Sequence, residues 1–128
     1  QRGSSPKLQV HNTALVSVHS QRTLPEARQD SAWWGRLTES AVGAHLANSV
    51  RGKNIQLTYW NERNFEVDFV LSRGAKIAAI EVKSGHRPDK LPGLALFAKE
   101  HNSVRKWLVG ADGIPVEEFL TIQPEELL

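Results

Sequence analysis

The sequence contains no cysteine among its 128 residues, so disulfide bonds and thiolate metal sites are excluded. No stretch approaches the run of about 18 apolar residues that a membrane-spanning helix needs. The N-terminus lacks the charged-then-apolar pattern of a secretory signal. There is also no Gly-x-x-x-x-Gly-Lys run of the kind that holds nucleotide phosphates. These absences favour a cytoplasmic protein without a membrane partner, and they place any ATP binding outside this chain.

The chain begins with Gln1 and not with Met, so we expect it to be a piece of a longer protein with a partner domain upstream. Its length suits one compact domain, residues 1–128, with a single core. A net charge of +2 says little about partners, because nucleic-acid binding requires basic residues clustered on one face. The basic residues that could form such a cluster are Arg51, Lys53, Arg87, Lys90, Lys99, Arg105 and Lys106.

Hydrophobic spacing predicts the main elements. A short extended run covers 6–10, the segment 13–18 follows Asn12 as a possible cap, and 19–30 reads as a polar loop. Residues 30–50 form the best helix, which Asp30 or Ser31 can cap. On that helix Glu39 shares a stripe with small and apolar residues. The remaining predictions are strands over 55–60, 65–71, 76–83 and 105–110, a helix over 91–101, and an extended tail over 114–122 with an edge position at Pro115. This order indicates an α/β or α+β fold, a mixed sheet with helices against it.

Four charged residues interrupt two of these strands: Glu66, Asp68, Glu81 and Lys83. If the intervening "SRGA" is a symmetric two- or four-residue hairpin loop, paired residue numbers sum to 147. Asp68 then lies opposite Ala79 and Glu66 opposite Glu81. Asp68 and Glu81 become diagonal neighbours roughly 7 to 8 Å apart on one face. The other face of the second strand would carry Phe65, Val67, Phe69 and Leu71.

Three carboxylates crowded on one face raise one another's pKa unless a cation joins them. Lys83 supplies one positive charge, and Mg²⁺ or Mn²⁺ would neutralise the rest. A solvated face of an antiparallel sheet is the alternative that strand periodicity allows. Against it, "IAAIEVK" is apolar on both faces up to Ile80, which is typical of a strand covered on both sides. Buried acids on such a strand need partners or a chemical task.

The motifs in this region resemble a known superfamily. Asp68, then Glu81-Val82-Lys83 after a hairpin, preceded by the helical Glu39, resemble the PD-(D/E)XK nuclease-like superfamily. The closer likeness is to the domain of uncharacterised function at the C-terminus of many prokaryotic AAA-type ATPases. Those domains typically carry Tyr-Trp, Glu-Val-Asp-Phe-Val and Ile-Glu-Val-Lys-Ser, and this chain has all three between Tyr59 and Ser84. The upstream segment 35–46 is similar to the Gly-x-x-x-Glu helix of those domains.

The resemblance implies a restriction-endonuclease-like fold and a role for each site residue. Asp68, Glu81 and the Val82 carbonyl would bind Mg²⁺ or Mn²⁺, and Glu39 would bind the metal or orient its water. Lys83 would position the attacking water or stabilise charge on the phosphate. Glu66 matches the family pattern without an assigned role; Lys83 and Arg63 are its possible partners. The residues expected to approach nucleic acid are His86, Arg87, Lys90 and Lys99.

The function implied is that of the C-terminal domain of an AAA-type ATPase. It would hydrolyse DNA phosphodiesters with Mg²⁺, or bind DNA at a retained site. Its partners would be nucleic acid, most naturally DNA, and the ATPase domain of the same chain. The alternative is a non-catalytic module that docks on the ATPase or on another protein.

Overall fold

The computed structural model describes residues 31–62, 64–85, 91–101 and 103–128. In these ranges the elements are α1 (Ser31–Ser49), β1 (Gln56–Glu62), β2 (Phe65–Arg73), β3 (Lys76–Lys83), α2 (Pro92–Glu100), β4 (Val104–Gly110), α3 (Val116–Phe119) and α4 (Pro124–Leu127). The predictions for 6–10, 13–18 and 19–30 lie outside the described residues. The same holds for Asn12, Asp30, Arg63, His86, Arg87 and Lys90.

The strands of the described ranges form one four-stranded sheet in the order β1-β2-β3-β4. β1–β2 and β2–β3 are antiparallel, whereas β3–β4 is parallel. A parallel neighbour needs a crossover, and α2 lies within that connection. The predicted mixed α/β sheet flanked by helices is therefore confirmed.

Each face of the sheet packs against one of the two longer helices. On the α1 face, Val42 and Leu46 of α1 join a core that includes Phe69, Leu71 and Ile80. On the α2 face, Leu94 and Phe97 of α2 pack with Trp60, Val67, Val70 and Ala79. Strand β3 contributes alternate residues to both cores, so it is covered on both sides as its composition predicts.

Helix α1 confirms the helix predicted over 30–50. Its buried residues are Thr38, Val42, Gly43, Ala44 and Leu46, which all lie in its central and C-terminal turns. Among the residues that the structure describes, no helix is long and apolar enough to cross a membrane.

The β2–β3 hairpin differs from the predicted register by two residues. Arg73 pairs with Lys76, so the turn is Gly74-Ala75 and paired numbers sum to 149 instead of 147. Gly74 has a φ of 59°, which suits glycine at the first position of a two-residue turn. The loop remains symmetric, so the parity of the faces survives. Ala79 pairs with Val70, so Asp68 does not lie opposite Ala79 as predicted.

A β-bulge in β2 overturns the prediction that Phe65, Val67, Phe69 and Leu71 share one face. Thr58 pairs with Val70, but Trp60 pairs with Val67, so β2 has one extra residue over this interval. The extra residue reverses the alternation. Val67 consequently packs in the α2-face core, whereas Phe69 and Leu71 pack in the α1-face core.

The tail predicted as extended over 114–122 is instead largely helical. Helix α3 begins at Val116 and is followed by α4. Pro115 precedes the first turn of α3, a position where its missing N–H costs nothing, and Glu117 and Glu118 favour that turn electrostatically. Phe119 is fully buried in the α1-face core, so tertiary packing holds this short helix in place.

Candidate functional site

The β2–β3 ladder gives way to a side-chain contact at Asp68. The ladder ends at the pair Phe69–Ile80, and beyond it Asp68 Oδ2 accepts a hydrogen bond of 2.8 Å from the Val82 N–H. Asp68 is 8% exposed and lies in the bulged interval of β2. Bulges commonly re-aim a side chain beside an active site. The bulge and this hydrogen bond together fix the Asp68 carboxylate against β3.

Glu81 is a buried acid with a strongly raised pKa. It is 8% exposed, and its Oε1 is buried without a hydrogen-bond partner among the described residues. Burial, followed by the nearby charge of Asp68, raises the pKa of Glu81 from 4.5 to about 7, while Lys83 opposes the shift. A buried acid that shares space with a second carboxylate behaves in this way because its charged form lacks compensation. The site therefore has an excess of negative charge when both acids ionise.

Lys83 stands beside Glu81 on the same side of β3, at the rim of a pocket. Its Nζ lies 3.4 Å from Glu81 Oε2, and its side chain is 43% exposed. The pocket has a volume of about 190 Å³ and is lined by Asn64, Phe65, Glu66, Glu81, Lys83, Leu91, Pro92, Gly93 and Leu94. The charged side chains come from the strands, and the apolar wall comes from the start of α2. A ligand in this pocket would contact Lys83 and the carboxylates of Glu66 and Glu81 on one side and an apolar surface on the other.

Two glycines let the backbone close around this pocket, and sequence reasoning missed both. A Cβ on Gly93 would lie 2.0 Å from the Glu66 carbonyl oxygen, so the first turn of α2 rests directly on the β2 backbone. A Cβ on Gly110 would lie 1.8 Å from the Lys83 carbonyl oxygen, so β4 holds the end of β3 equally closely. The Pro92-Gly93 dipeptide is a signal for a turn, but nothing in it reveals contact with Glu66.

Glu39 is half-buried on α1, and α1 packs on the opposite face of the sheet from α2. One turn earlier, Gly35 approaches Ser84, where a Cβ would lie 3.3 Å from the Ser84 Oγ. This contact brings the first half of α1 to the end of β3. Glu39 does not line the pocket, and in the described ranges no three His, Asp or Glu side chains form a group that could hold a metal. Its role with the Asp68–Glu81 pair stays a prediction.

The remaining site residues are placed as follows. Glu66 lines the pocket and accepts a hydrogen bond of 3.2 Å from Asn61 Nδ2. The Val82 N–H is taken by Asp68, and metal binding by its carbonyl stays a prediction. Lys99 is exposed near the end of α2, away from the pocket lining. The other expected nucleic-acid residues, His86, Arg87 and Lys90, fall outside the described ranges.

The basic residues outside the pocket show two different arrangements. Lys53 Nζ forms an ion pair with Glu125 Oε2 at 3.0 Å, so its charge is balanced within the chain. Lys106 lines a second cavity of about 330 Å³ between α2 and β4, and Leu91 and Leu94 are shared with the first pocket. The two cavities therefore adjoin along α2.

The carboxylate pair fits a hard divalent cation. Mg²⁺ is commonly held by one or two protein carboxylates together with water and substrate phosphate, so a third protein ligand is not required. Asp68 and Glu81 supply oxygen donors of this type, and the buried Glu81 Oε1 lacks a partner that a cation would provide. Without a cation, burial opposes ionisation of Glu81. The donor set therefore suits Mg²⁺ or Mn²⁺.

The fold and the site define a class: a mixed α/β domain with two buried carboxylates and a lysine at the edge of an open pocket. Residues 34–118 match a domain of unknown function, DUF4143. This match covers more than half of the chain, and the chain belongs to that family. No curated protein and no solved structure matches it. The matched range contains the whole carboxylate and lysine cluster as well as the pocket.

Proposed function

We propose that this chain is a PD-(D/E)XK nuclease-like domain, which hydrolyses phosphodiesters of nucleic acid, DNA foremost, with a divalent metal. The observation that carries the proposal is the placement of Asp68 and Glu81 on neighbouring strands with Lys83 beside them at an open pocket. The motifs that carry the sequence resemblance come from these same strands. The domain would act as the C-terminal part of an AAA-type ATPase.

Asp68 and Glu81 would hold the cation, which supplies Lewis acidity to a phosphate oxygen. Asp68 is oriented for this by the Val82 N–H, so its carboxylate needs little rearrangement. Lys83 carries a positive charge at the pocket rim, 3.4 Å from Glu81 Oε2. There it would stabilise negative charge that develops on the phosphate, because fixed charges act strongly in a partly dehydrated site. Glu81 would thus act on the phosphate through the cation that it holds, and Lys83 would act on it directly through its positive charge.

The first test separates metal binding from cleavage. Asp68→Asn and Glu81→Gln should each abolish Mn²⁺ binding in calorimetry and Mn²⁺-dependent cutting of plasmid DNA. Lys83→Met should keep metal binding and lower the cleavage rate by about a hundredfold or more, since removing one group that stabilises transition-state charge commonly costs that much. Circular dichroism would verify that each variant folds.

Glu117→Gln is the matched control, because it neutralises an exposed carboxylate outside the pocket. It should change neither metal binding nor cleavage. Wild-type protein that binds no Mn²⁺ and cuts no DNA or RNA would contradict the proposal. Metal and DNA binding without cleavage would instead favour a retained binding site.

A further inference from the structure

Two large apolar side chains are exposed in the described part of the chain, Phe65 and Leu120, each 38% accessible. Only Phe65 lines the pocket that holds Glu81 and Lys83. It is the first residue of β2 and follows Asn64, which has a φ of 66°. Asn is one of the few non-glycine residues that adopt this left-handed region readily, and it is common in tight hairpin turns. The turn therefore leads directly into an exposed aromatic ring at the start of β2.

The surroundings of Phe65 divide the pocket into two kinds of surface. Glu66, Glu81 and Lys83 provide the charged part, where the proposed divalent cation would offset the two carboxylates, while Leu91, Pro92 and Leu94 provide an apolar wall. A nucleotide has the same division, because its phosphate is charged and its base has two flat apolar faces. Aromatic side chains beside a cationic groove bind single strands through base stacking, largely independently of sequence.

We propose that Phe65 is a stacking platform for one unpaired nucleobase next to the phosphate bound at Lys83, so that the pocket prefers single-stranded or locally unpaired nucleic acid. This inference rests on the proposed function, since it requires nucleic acid in the pocket. A base within a duplex is stacked on both sides by its neighbours, so it can reach a protein ring only after it is unstacked. Phe65 would favour strands in which that cost is absent.

The inference assigns Phe65 a task that Asp68, Glu81 and Lys83 do not share. Those residues would act on phosphate, which is common to single and double strands. Phe65 would contact only a base, so it should determine the preference between the two forms of nucleic acid. Its exposure means that replacing it need not disturb the two cores of the sheet.

The test is binding of a single-stranded oligonucleotide that contains 2-aminopurine, compared with its duplex, using the purified chain with Ca²⁺ to support binding. Stacking on Phe65 should change the 2-aminopurine fluorescence on binding. Phe65→Ala should lose that change and weaken single-strand binding by about fivefold or more, with little effect on the duplex. Phe65→Trp should retain both. Leu120→Ala, which removes an equally exposed apolar side chain outside the pocket, should match wild type.

The outcomes distinguish this inference from the function on which it rests. If wild-type protein binds single strands but Phe65→Ala binds them equally well, the stacking role is wrong and the nuclease-like proposal survives. The same conclusion follows if Phe65→Ala weakens single-strand and duplex binding equally. If wild-type protein binds neither form, the proposed function fails and the inference fails with it. Thermal melts of Phe65→Ala and Phe65→Trp would show that the variants remain folded.

Discussion

The two ends of the β2–β3 hairpin follow different rules. Toward the turn, Leu71 and Ala78 pair directly, both are fully buried, and the backbone ladder is regular up to Arg73–Lys76. Toward the open end, a carboxylate takes the Val82 N–H, and two buried acids lie close together. One hairpin thus contains a segment that stabilises the fold and a segment whose charges oppose it.

This difference shows where the chain tolerates unfavourable chemistry. Buried like charges are costly unless a partner compensates them, so their presence indicates a task other than stability. The turn end supplies apolar burial on both faces of β3, and that burial allows the open end to retain Asp68 and Glu81. Substitutions at the two ends should therefore have opposite effects on stability.

The largest effect on stability is expected at the turn end. Leu71→Ala removes a fully buried side chain from the α1-face core and should lower the free energy of unfolding by about 2 to 5 kcal/mol. Chemical denaturation measures this value. Leu120→Ala, the same truncation at an exposed site, should cost less than about 0.5 kcal/mol. A small loss at Leu71 would mean that the turn end does not carry the stability that we assign to it.

At the open end, by contrast, we expect the charge of Glu81 to lower stability in a way that depends on pH. The pKa of Glu81 is about 7 in the folded chain against 4.5 without the fold, so folding favours its protonated form. The contribution of Glu81 to stability is therefore most favourable below the lower value, and it is lost as pH rises from there through about 7, by up to about 3 kcal/mol. Unfolding of metal-free protein should show this loss between about pH 5 and pH 8.

Glu81→Gln isolates that contribution because it removes the titration while preserving the shape of the side chain. The variant should be more stable than wild type at the alkaline end of this range, and the difference should shrink toward the acidic end. Mn²⁺ should stabilise wild type and not the variant, since a ligand that binds only the folded state shifts unfolding. Parallel pH profiles of the two proteins would rule out Glu81 as the source.

A smaller effect is expected where α2 meets β2. Gly93→Ala places a Cβ 2.0 Å from the Glu66 carbonyl oxygen, so the start of α2 must move. We expect a loss of about 1 to 3 kcal/mol in stability and a changed pocket, seen as weaker nucleic-acid binding in anisotropy measurements. Gly85→Ala is the matched control, because a Cβ there meets nothing within 4 Å. Equal behaviour of the two variants would show that the close approach at Gly93 is not needed.

Sequence patterns were most reliable for elements that are rich in apolar residues and have clear ends. Strand β3 matches its predicted bounds, 76–83, because both of its faces are apolar and turn residues precede it. Helix α1 is recovered nearly whole because its 19 residues are long enough for a stripe of small and apolar residues to recur. The tail over 114–122 is predicted as extended because four helical residues are too few to show a period, and only the burial of Phe119 reveals the helix.

The sequence was sufficient to single out Asp68, Glu81 and Lys83, since charges within apolar strands stand out wherever they occur. It could not set their register, because the choice between turn positions 73–74 and 74–75 depends on local backbone geometry. The bulge that reverses the faces around Asp68 also has no sequence signature of its own here. Its position results from pairing β1 and β2 while both faces of β2 are packed.

The order of polar and apolar side chains was enough to identify the charged residues within apolar strands and the segments that form the main strands and helices. The tertiary structure decided how these residues meet: Asp68 on the Val82 N–H, Lys83 beside Glu81, and α2 against Glu66 through Gly93. The contacts of Asp68 with Val82 and of Gly93 with Glu66 join residues far apart in the chain. They depend on turn geometry, a bulge and close backbone packing, whose energies are set only when the strands and helices come together.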